Sequence, residues 1–262
     1  MQKNKSLLLS GASMSKEEDK MLKFSFLQCK VNHLRKAVES FQNAGFTVEW
    51  GRSGQRGNAF IWFEEGPYIE VFETVPGFPS VATILGLFFG QSAKDKWKYW
   101  DKHPGGWSDL GLVAINKPQE HTLAGFKAAR LDVMNMGIAT SRIIKGSRTR
   151  PDGEKTKFAF FTTSPVELPI IATDYSPPQR PATVTHANGA RGIEQITVGV
   201  CDKDFEKYRA LTGDDKKIKW IRSRKTQILE VSLTGTGVIT LQKDMVMFPQ
   251  KSQKSKYLEV LG

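Results

Sequence analysis

Three parts of the sequence carry side chains that could bind or transform a small molecule. Glu70 is the central residue of the run Tyr68 to Phe72, and a carboxylate beside two aromatic side chains on one strand face could accept a proton or a hydrogen bond. His186 could act as an acid, a base or a hydrogen-bond donor. Arg148 and Arg150 could hold an anionic group through paired N–H donors. The alternatives are a structural turn at His186 and a solvated hairpin at the two arginines.

Period-two alternation assigns further candidates to shared strand faces. A strand directs alternate side chains to opposite sides, so residues two apart lie together. The groups that share a face are Phe24, Phe26, Gln28 and Lys30 on a first strand, Asn58, Phe60 and Trp62 on a later strand, and Tyr68, Glu70 and Phe72 on the strand after it. Aromatic walls with a few polar groups are the composition of a small-molecule pocket.

These strands belong to one module of strand, helix and three further strands, between Phe24 and Glu73. The helix is predicted because apolar residues recur at helical spacing, at Leu34, Ala37, Val38 and Phe41, and Gly45 marks its end. The glycine-rich segment 51–57 and the sequence Glu64-Glu65-Gly66-Pro67 are typical turns between the three later strands. The segment therefore predicts a complete βαβββ module.

The module is predicted to occur again twice, with less regularity. The predicted elements of the second copy are a strand at Leu110–Asn116, a helix at Pro118–Arg130 and strands at Leu131–Met134, Ser141–Ile144, Phe158–Thr162 and Pro169–Ala172. A shorter third copy is predicted within 186–245, with a strand at Gly192–Val200 and a helix that begins at Asp202 or Asp204.

The predicted organisation is therefore a pair of modules in residues 22–185, followed by the third module. An insertion at 75–109, rich in aromatic residues and lysines, separates the paired modules; it either covers the pocket as a lid or packs as a core helix. Residues 1–21 are expected to form a mobile arm, and residues 246–262 a basic tail.

Positive charge is the main deviation in composition. The 262 residues include 38 Lys and Arg against 27 Asp and Glu, so the formal net charge is +11. Such a field attracts anionic ligands or nucleic acid. We predict that nucleic acid is not the partner, because no zinc-finger or RNP signature accompanies the charge.

The remaining composition indicates a globular, cytoplasmic protein without membrane contact. The longest apolar run, Val81–Phe89, is shorter than the ~20 residues of a membrane span. The N-terminus lacks an apolar run as long as a secretory signal needs. Cys29 and Cys201 are predicted to be buried thiols and not a disulfide framework.

The sequence resembles the glyoxalase-like domain family of the vicinal-oxygen-chelate superfamily. The resemblance lies in NHLRKAVESFQNAGFTVEWG (32–51) and GNAFIWFEEGPYIEV (57–71), followed in order by Arg150–Glu154, Leu168–Ile171 and the HANGA sequence at His186–Ala190. It covers roughly residues 22–245. It implies an α+β fold in which repeated βαβββ modules form a cup-shaped mixed sheet, and a shorter third module extends or flanks the cup.

The resemblance also implies which residues line the cup. Glu70 would face inward, as the last-strand carboxylate does in the family. The implied lining is Phe26, Phe60, Trp62, Tyr68 and Phe72, with Gln28, Asn58 and Glu70 as polar anchors. His186 is a site candidate because it begins the HANGA sequence. Arg148 and Arg150 are candidates because they lie beside the Pro151-Asp152-Gly153 turn.

Metalloenzymes of the superfamily hold a divalent ion with a His or Gln on the first strand of each module and a Glu on the last. By this alignment the first-strand position is Phe26, which cannot ligate a metal, with Gln28 as the nearest substitute. In the second copy, the first-strand position falls at Leu110 or Gly111. The last-strand carboxylate position falls at Thr173 or Asp174. We therefore predict no metal cofactor; if a metal binds, the candidate ligands are Glu70, Asp174, His186 and Gln28.

The function that this reading favours is binding of a small aromatic or amphipathic molecule in the cup, with or without turnover. An enzyme would use Glu70 as base or metal ligand, assisted by His186, in an isomerisation, ring-cleavage or lyase-type reaction. The alternative is sequestration of a toxic or signalling molecule, as in resistance members of the superfamily. A binder of anionic polymers is a third, less favoured class. A homodimer is a further candidate assembly.

Overall fold

The computed structural model describes residues 22–74, 78–114, 123–213, 215–242 and 245–247. The predicted N-terminal arm at 1–21 and most of the predicted tail, at 248–262, lie outside these ranges. Residues 115–122, which hold the predicted start of the second-module helix, lie outside them as well.

The first module contains the predicted elements. The prediction that Phe24 shares a face with Phe26 is wrong, because the strand pairing is irregular between them and Phe24 packs in the large apolar core. Its elements are β1 (Leu22–Lys30), α1 (Leu34–Asn43), β2 (Glu49–Trp50), β3 (Asn58–Ile61) and β4 (Tyr68–Phe72). The four apolar positions of α1 are all buried against the sheet. Glu73 fixes the start of this helix, because its Oε2 accepts a hydrogen bond from the backbone N–H of Leu34 at 2.8 Å.

A helical hairpin occupies the predicted insertion. It consists of α2 (Phe78–Phe89) and α3 (Gln91–Lys102), which pack against each other. Large apolar side chains of α2 remain exposed, at Val81, Ile84, Leu87 and Phe88. None of the helices in the described ranges is long and apolar enough to cross a bilayer.

The second module contains the predicted elements with shifted boundaries. Its elements are β5 (Gly106–Ala114), α4 (Leu123–Asn135), β6 (Ala139–Thr140), β7 (Ile144–Thr149), β8 (Lys155–Phe161), β9 (Thr163–Ser164) and β10 (Ile170–Ala172). The predicted strand at Leu131–Met134 is wrong, since these residues continue α4. Ala129 and Val133 extend the buried stripe that Phe126 begins, one helical turn apart.

The third module is present with a different strand order. Its elements are β11 (Gly192–Val200), α5 (Asp202–Thr212), β12 (Ile218–Arg222), β13 (Gln227–Thr234), β14 (Gly237–Gln242) and β15 (Met245–Met247). Here β11 pairs in parallel with β12, the strand directly after the helix. In the first module, β1 pairs in parallel with β4, the last strand. The third sheet has the order β12-β11-β13-β14-β15.

The paired modules share one curved eight-stranded sheet with the order β2-β3-β4-β1-β5-β10-β8-β7. The fold class predicted from the sequence, α+β with a cup-shaped mixed sheet, is confirmed. One face carries the large apolar core, which includes residues of α1, α4 and the third module. The other face carries a separate aromatic cluster that includes Phe26, Phe60, Trp62 and Tyr68. Cys29 and Cys201 are buried thiols that form no disulfide.

The two modules meet where β1 and β5 pair in antiparallel fashion. Phe26 lies opposite Gly111 in this pairing. A methyl group at position 111 would overlap the Phe26 ring, so the ring occupies the space that a side chain would need. Close packing of this kind transmits strain to its neighbours.

A buried ion pair attaches α3 to β5 and so holds the hairpin over the aromatic face. The ammonium group of Lys96 lies 2.8 Å from Oδ2 of Asp109, and the Lys96 side chain is fully buried. Lys96 also donates to the carbonyl of Leu168 at 2.9 Å. The indole N–H of Trp100 donates to the same Asp109 oxygen at 2.9 Å. Burial raises the pKa of Asp109, and the neighbouring ammonium group opposes that rise.

Lys30 binds the C-terminal end of α3. Its ammonium group donates to the carbonyls of Asp101 and His103, at 2.8 and 2.7 Å. These carbonyls lie at the C-terminal end of the helix, where a cation is favourable. The hairpin is therefore fixed to β1 and β5, the two strands at the centre of the sheet.

We expect Lys96→Met to destabilise the protein by about 3–5 kcal/mol, because Asp109 would keep a buried charge without its counter-ion. Lys98→Met, on an exposed position of the same helix, is the control and should change stability by less than about 0.5 kcal/mol. Urea unfolding followed by circular dichroism measures both. Equal losses for the two variants would contradict the structural role of the pair.

A second prediction concerns Phe26 and Gly111. Gly111→Ala should cost about 1–3 kcal/mol, as overpacking does in well-packed cores. The cost should shrink in a Phe26→Val background, which removes the ring. Gly192→Ala is the control, since a methyl group there meets no atom within 4 Å. A double-mutant cycle on unfolding free energies tests the coupling, and additive losses would show that the ring does not oppose the side chain.

Candidate functional site

The concave face of the eight-stranded sheet holds a cavity of about 170 Å³. Six of the residues proposed from the sequence line it: Phe26, Gln28, Asn58, Tyr68, Glu70 and Arg148. The strand phase inferred from period two places them there, since Gln28 lies beside Glu70 in the β1–β4 pairing and Asn58 lies two strands away from Gln28.

Glu70 is held by two amide side chains. Asn58 Nδ2 donates to Oε1 of Glu70 at 2.6 Å, and Gln28 Nε2 donates to Oε2 at 3.1 Å. A carboxylate only accepts hydrogen bonds, so both amides must turn their NH₂ groups towards it. The amide oxygens of Gln28 and Asn58 are consequently buried without a donor. The result is a group of acceptor oxygens around Glu70, two of which have no hydrogen-bond donor.

Three further residues proposed from the sequence, Phe60, Trp62 and Phe72, belong to or pack against the same aromatic cluster but do not themselves line the cavity. Trp62 packs on Tyr68 with ring centroids 4.3 Å apart, and Phe60 stacks on Trp62 at 4.9 Å. Phe72 packs edge-on against Trp100 of α3 at 6.2 Å. Burial raises the pKa of Tyr68, so its phenol stays protonated.

The second module contributes the opposite part of the lining. Phe158 and Phe160, on one face of β8, line the cavity with Ile170 and Ala172 of β10. Tyr175 follows β10, and burial raises its pKa as well. The sequence could have indicated the two phenylalanines, because they lie two apart on a predicted strand. Tyr175 lies in a loop, where periodicity gives no signal.

The helical hairpin closes one side of this space. Trp100 lines the cavity, and Trp97 packs with the same aromatic cluster, stacked on Phe160 at 5.8 Å. The structure thus brings part of the insertion at 75–109 onto the cup. The ion pair beneath Trp100 positions it, as described above.

The structure places Arg150 away from the cavity. Its guanidinium pairs with Asp152 and Glu154 in the turn between β7 and β8, at 2.8 and 2.9 Å. It also donates to the carbonyl of Pro178 at 3.1 Å. This is the hairpin arrangement that the sequence left open as an alternative. Arg150 lies in the turn just beyond the end of β7, whereas Arg148 lies within that strand.

His186 also lies outside the cavity lining. Its Nδ1 accepts a hydrogen bond from the backbone N–H of Thr47 at 3.0 Å, so Nε2 carries the proton and donates to the carbonyl of Trp62 at 2.9 Å. The ring packs edge-on against Phe46 and Phe63, each at 5.3 Å. Both nitrogens are therefore occupied by backbone groups, and the ring fastens the segment before the third module to the first.

The superfamily metal positions do not fit a metal ion in this chain. Leu110 lies in the apolar core, so Gly111, opposite Phe26, is the second-copy position on the cup face. Gly111 pairs with Ile170 as Phe26 pairs with Tyr68, and the counterpart of Glu70 is then Ala172, two residues further on β10. The predicted Thr173 or Asp174 is therefore displaced by one or two residues, and Asp174 is exposed.

The four positions thus provide a single carboxylate, whereas a divalent ion needs several N or O ligands. Within the described ranges, no three His, Cys, Asp or Glu side chains cluster as metal ligands would. A further groove of about 700 Å³ includes Asp174 and three lysines, Lys145, Lys155 and Lys157. It lies beside α4, whereas Gln28, Asn58 and Glu70 line the cavity of the cup.

A prediction about pH follows from His186. Burial lowers the pKa of His186, so the folded protein keeps it neutral below about pH 6.5, where the unfolded chain becomes protonated. Stability should therefore fall as pH falls from about 6.5, by up to about 1.4 kcal/mol for each unit by which the pKa is lowered. His186→Gln should reduce this slope in urea titrations at several pH values.

His103 should contribute to the same slope, since burial and the neighbouring Lys30 lower its pKa in the same direction. Each single variant should remove part of the slope, and the double variant should remove more than either. An unchanged slope in His186→Gln would show that the histidine titrates alike in both states.

Comparison with known proteins agrees with the fold. A family model described as a glyoxalase-like domain matches residues 27–212. A search of curated protein sequences finds no significant match. Among solved structures, a hypothetical protein from Staphylococcus aureus superposes with a TM-score of 0.58 at 12% identity, covering 86% of this chain and 98% of its own.

Two further solved structures are more distant. The Mn(II)-bound glyoxalase from Novosphingobium aromaticivorans has a TM-score of 0.47 at 9% identity, covering 82% of this chain and 65% of its own. The 2,3-dioxygenase LapB from Pseudomonas sp. KL28 has a TM-score of 0.46 at 10% identity, covering 82% of this chain and 75% of its own. Because the family model spans most of the chain, the protein belongs to the glyoxalase-like domain family, as the sequence resemblance predicted.

Proposed function

We propose that this protein binds a small, amphipathic organic molecule with an aromatic part in the cup. The observation that supports this most directly is the combination of aromatic walls with buried polar atoms that lack partners in a cavity of about 170 Å³. Buried polar atoms without partners are costly, so a ligand that satisfies them gains affinity. Aromatic side chains supply large contact area to a flat ligand.

Glu70 is the reactive group in this proposal. Two amides fix its carboxylate, which accepts a hydrogen bond from a ligand N–H, O–H or activated C–H and can take that proton. No step passes through a metal, because the residues at the superfamily positions are Phe26, Gly111, Glu70 and Ala172. Proton abstraction from the ligand, leading to isomerisation or elimination, is the reaction that one positioned carboxylate can carry out.

Sequestration without turnover is the second candidate function. It is favoured by the environment of His186, the other acid–base residue proposed from the sequence, because backbone groups occupy both of its nitrogens. A lone carboxylate can anchor a ligand as a hydrogen-bond acceptor without reacting. The same cup therefore supports capture of a molecule as well as its conversion.

We expect single-ring aromatic compounds with a hydrogen-bond donor to bind in the cup and to shift the backbone NMR signals of Gln28 and Glu70. Ala172→Leu should weaken binding by roughly tenfold or more, about 1.4 kcal/mol, because it fills the cavity. Ala139→Leu, at an exposed position of β6, is the control and should bind as the wild type does. If no compound of such a set shifts these signals, the proposed site is wrong.

Glu70→Gln separates conversion from capture. It keeps a hydrogen-bonding group of the same size and removes the base, so a bound compound should stop exchanging hydrogen with deuterated solvent while binding persists. Exchange at the same rate in both proteins would show that Glu70 is not the base. Absence of exchange in the wild type, together with binding, would establish sequestration.

A further inference from the structure

Arg148 is a buried cation without an acidic partner among the residues that the structure describes. It is 5% exposed, and its side chain lies in the wall of the cup cavity. Its Nη2 donates to the hydroxyl of Tyr175, while Nε and Nη1 have no hydrogen-bond partner. No described carboxylate lies within ion-pair distance of it.

Two other cations with little exposed surface are compensated by carboxylates. Lys96 is fully buried and pairs with Asp109, and Arg150, two residues from Arg148, pairs with Asp152 and Glu154. Burial of a charge is unfavourable unless an opposite charge and hydrogen bonds offset its loss of hydration. The position of Arg148 therefore differs from that of an ordinary structural arginine, and the cavity beside it is the place from which an anion could approach.

Aromatic rings hold the guanidinium in place. Its central carbon lies 4.6 Å from the ring centre of Tyr175, 4.7 Å from that of Phe60 and 5.0 Å from that of Phe158. Such cation–π contacts offset part of the cost of burial, and more so where water is excluded. They also restrict the side chain, so the donors without partners are already oriented before a ligand arrives.

The size of the cavity limits the ligand to about one ring. A dry cavity of roughly 150 Å³ accommodates a benzene molecule, and the cup offers about 170 Å³. Drug-sized ligands occupy about 300–1,000 Å³. The exposed Arg52 also lines the cavity and adds positive charge to it.

We propose that the ligand of the cup is a single-ring aromatic carboxylate, with its carboxylate at Arg148 and a ring substituent that donates a hydrogen bond towards Glu70. This inference rests on the proposed function, since it specifies the charge and size of the molecule that the same site binds. The carboxylate neutralises the buried cation, the ring packs among Tyr68, Phe158 and Phe160, and the donor meets the oxygens around Glu70. Arginine suits this role because its planar N–H groups match a carboxylate.

The test compares benzoate with benzamide, which has nearly the same shape and no charge. NMR titrations that follow the backbone signals of Gln28, Glu70 and Arg148 give the dissociation constant and place the compound in the cup. The wild type should prefer benzoate by roughly 10- to 100-fold, the range expected for hydrogen bonds to charged groups. Arg148→Gln should abolish the preference. Arg35→Gln, which removes one exposed positive charge from α1, should preserve it.

The outcomes separate this inference from the proposed function. If benzamide binds in the cup as tightly as benzoate, the charge preference is wrong while small-molecule binding stands. If neither compound shifts the signals, and the wider set of ring compounds fails as well, both proposals fail. If Arg148→Gln retains the preference, Arg148 is not the anion-binding group. The wild-type ratio tests the inference even if Arg148→Gln does not fold.

Discussion

The ion pair between Lys96 and Asp109 is the interaction on which the closed shape of the cup depends. It lies in the fully buried contact between α3 and β5, and the same Asp109 oxygen receives the indole N–H of Trp100. Trp100 lines the cavity. A polar contact outside the cavity therefore determines the position of one of the side chains that line it. A buried ion pair adds less stability than its Coulomb energy suggests, and its best-attested contribution is to specify one arrangement among several.

The two paired modules have the same topology and supply different chemistry. The first provides Gln28, Asn58 and Glu70, a carboxylate with amide oxygens around it. The second provides Arg148 within aromatic rings, and apolar residues at the positions that correspond to Glu70 and its neighbours. A ligand that bridges the two halves would meet hydrogen-bond acceptors from one module and a cation from the other. The cup would therefore bind such a ligand in one orientation, which a symmetric pair of modules would not specify.

The sequence predicted most of the fold because its elements follow strict periods. The strand Gly192–Val200 is predicted with its observed bounds, and period two places Gln28, Asn58 and Glu70 on one face. Misplaced elements have local causes: Leu131–Met134 is apolar enough for a strand, and only its packing against β8 and its neighbours makes it helix. The pairing of Lys96 with Asp109, the position of Tyr175 and the backbone partners of His186 depend on contacts between distant segments, which no period encodes.

The overlap between the Phe26 ring and position 111 restricts the order in which this site can change over evolution. A metal-ligating side chain cannot replace Gly111 while the Phe26 ring occupies that space. Loss of the ring alone would leave a void between the two modules. Each single step towards the metal-binding pattern of the superfamily is therefore unfavourable by itself, so the pair acts as an epistatic barrier. Lineages that share this pair should retain it together, and an intermediate should carry a small residue at 26 before any side chain appears at 111.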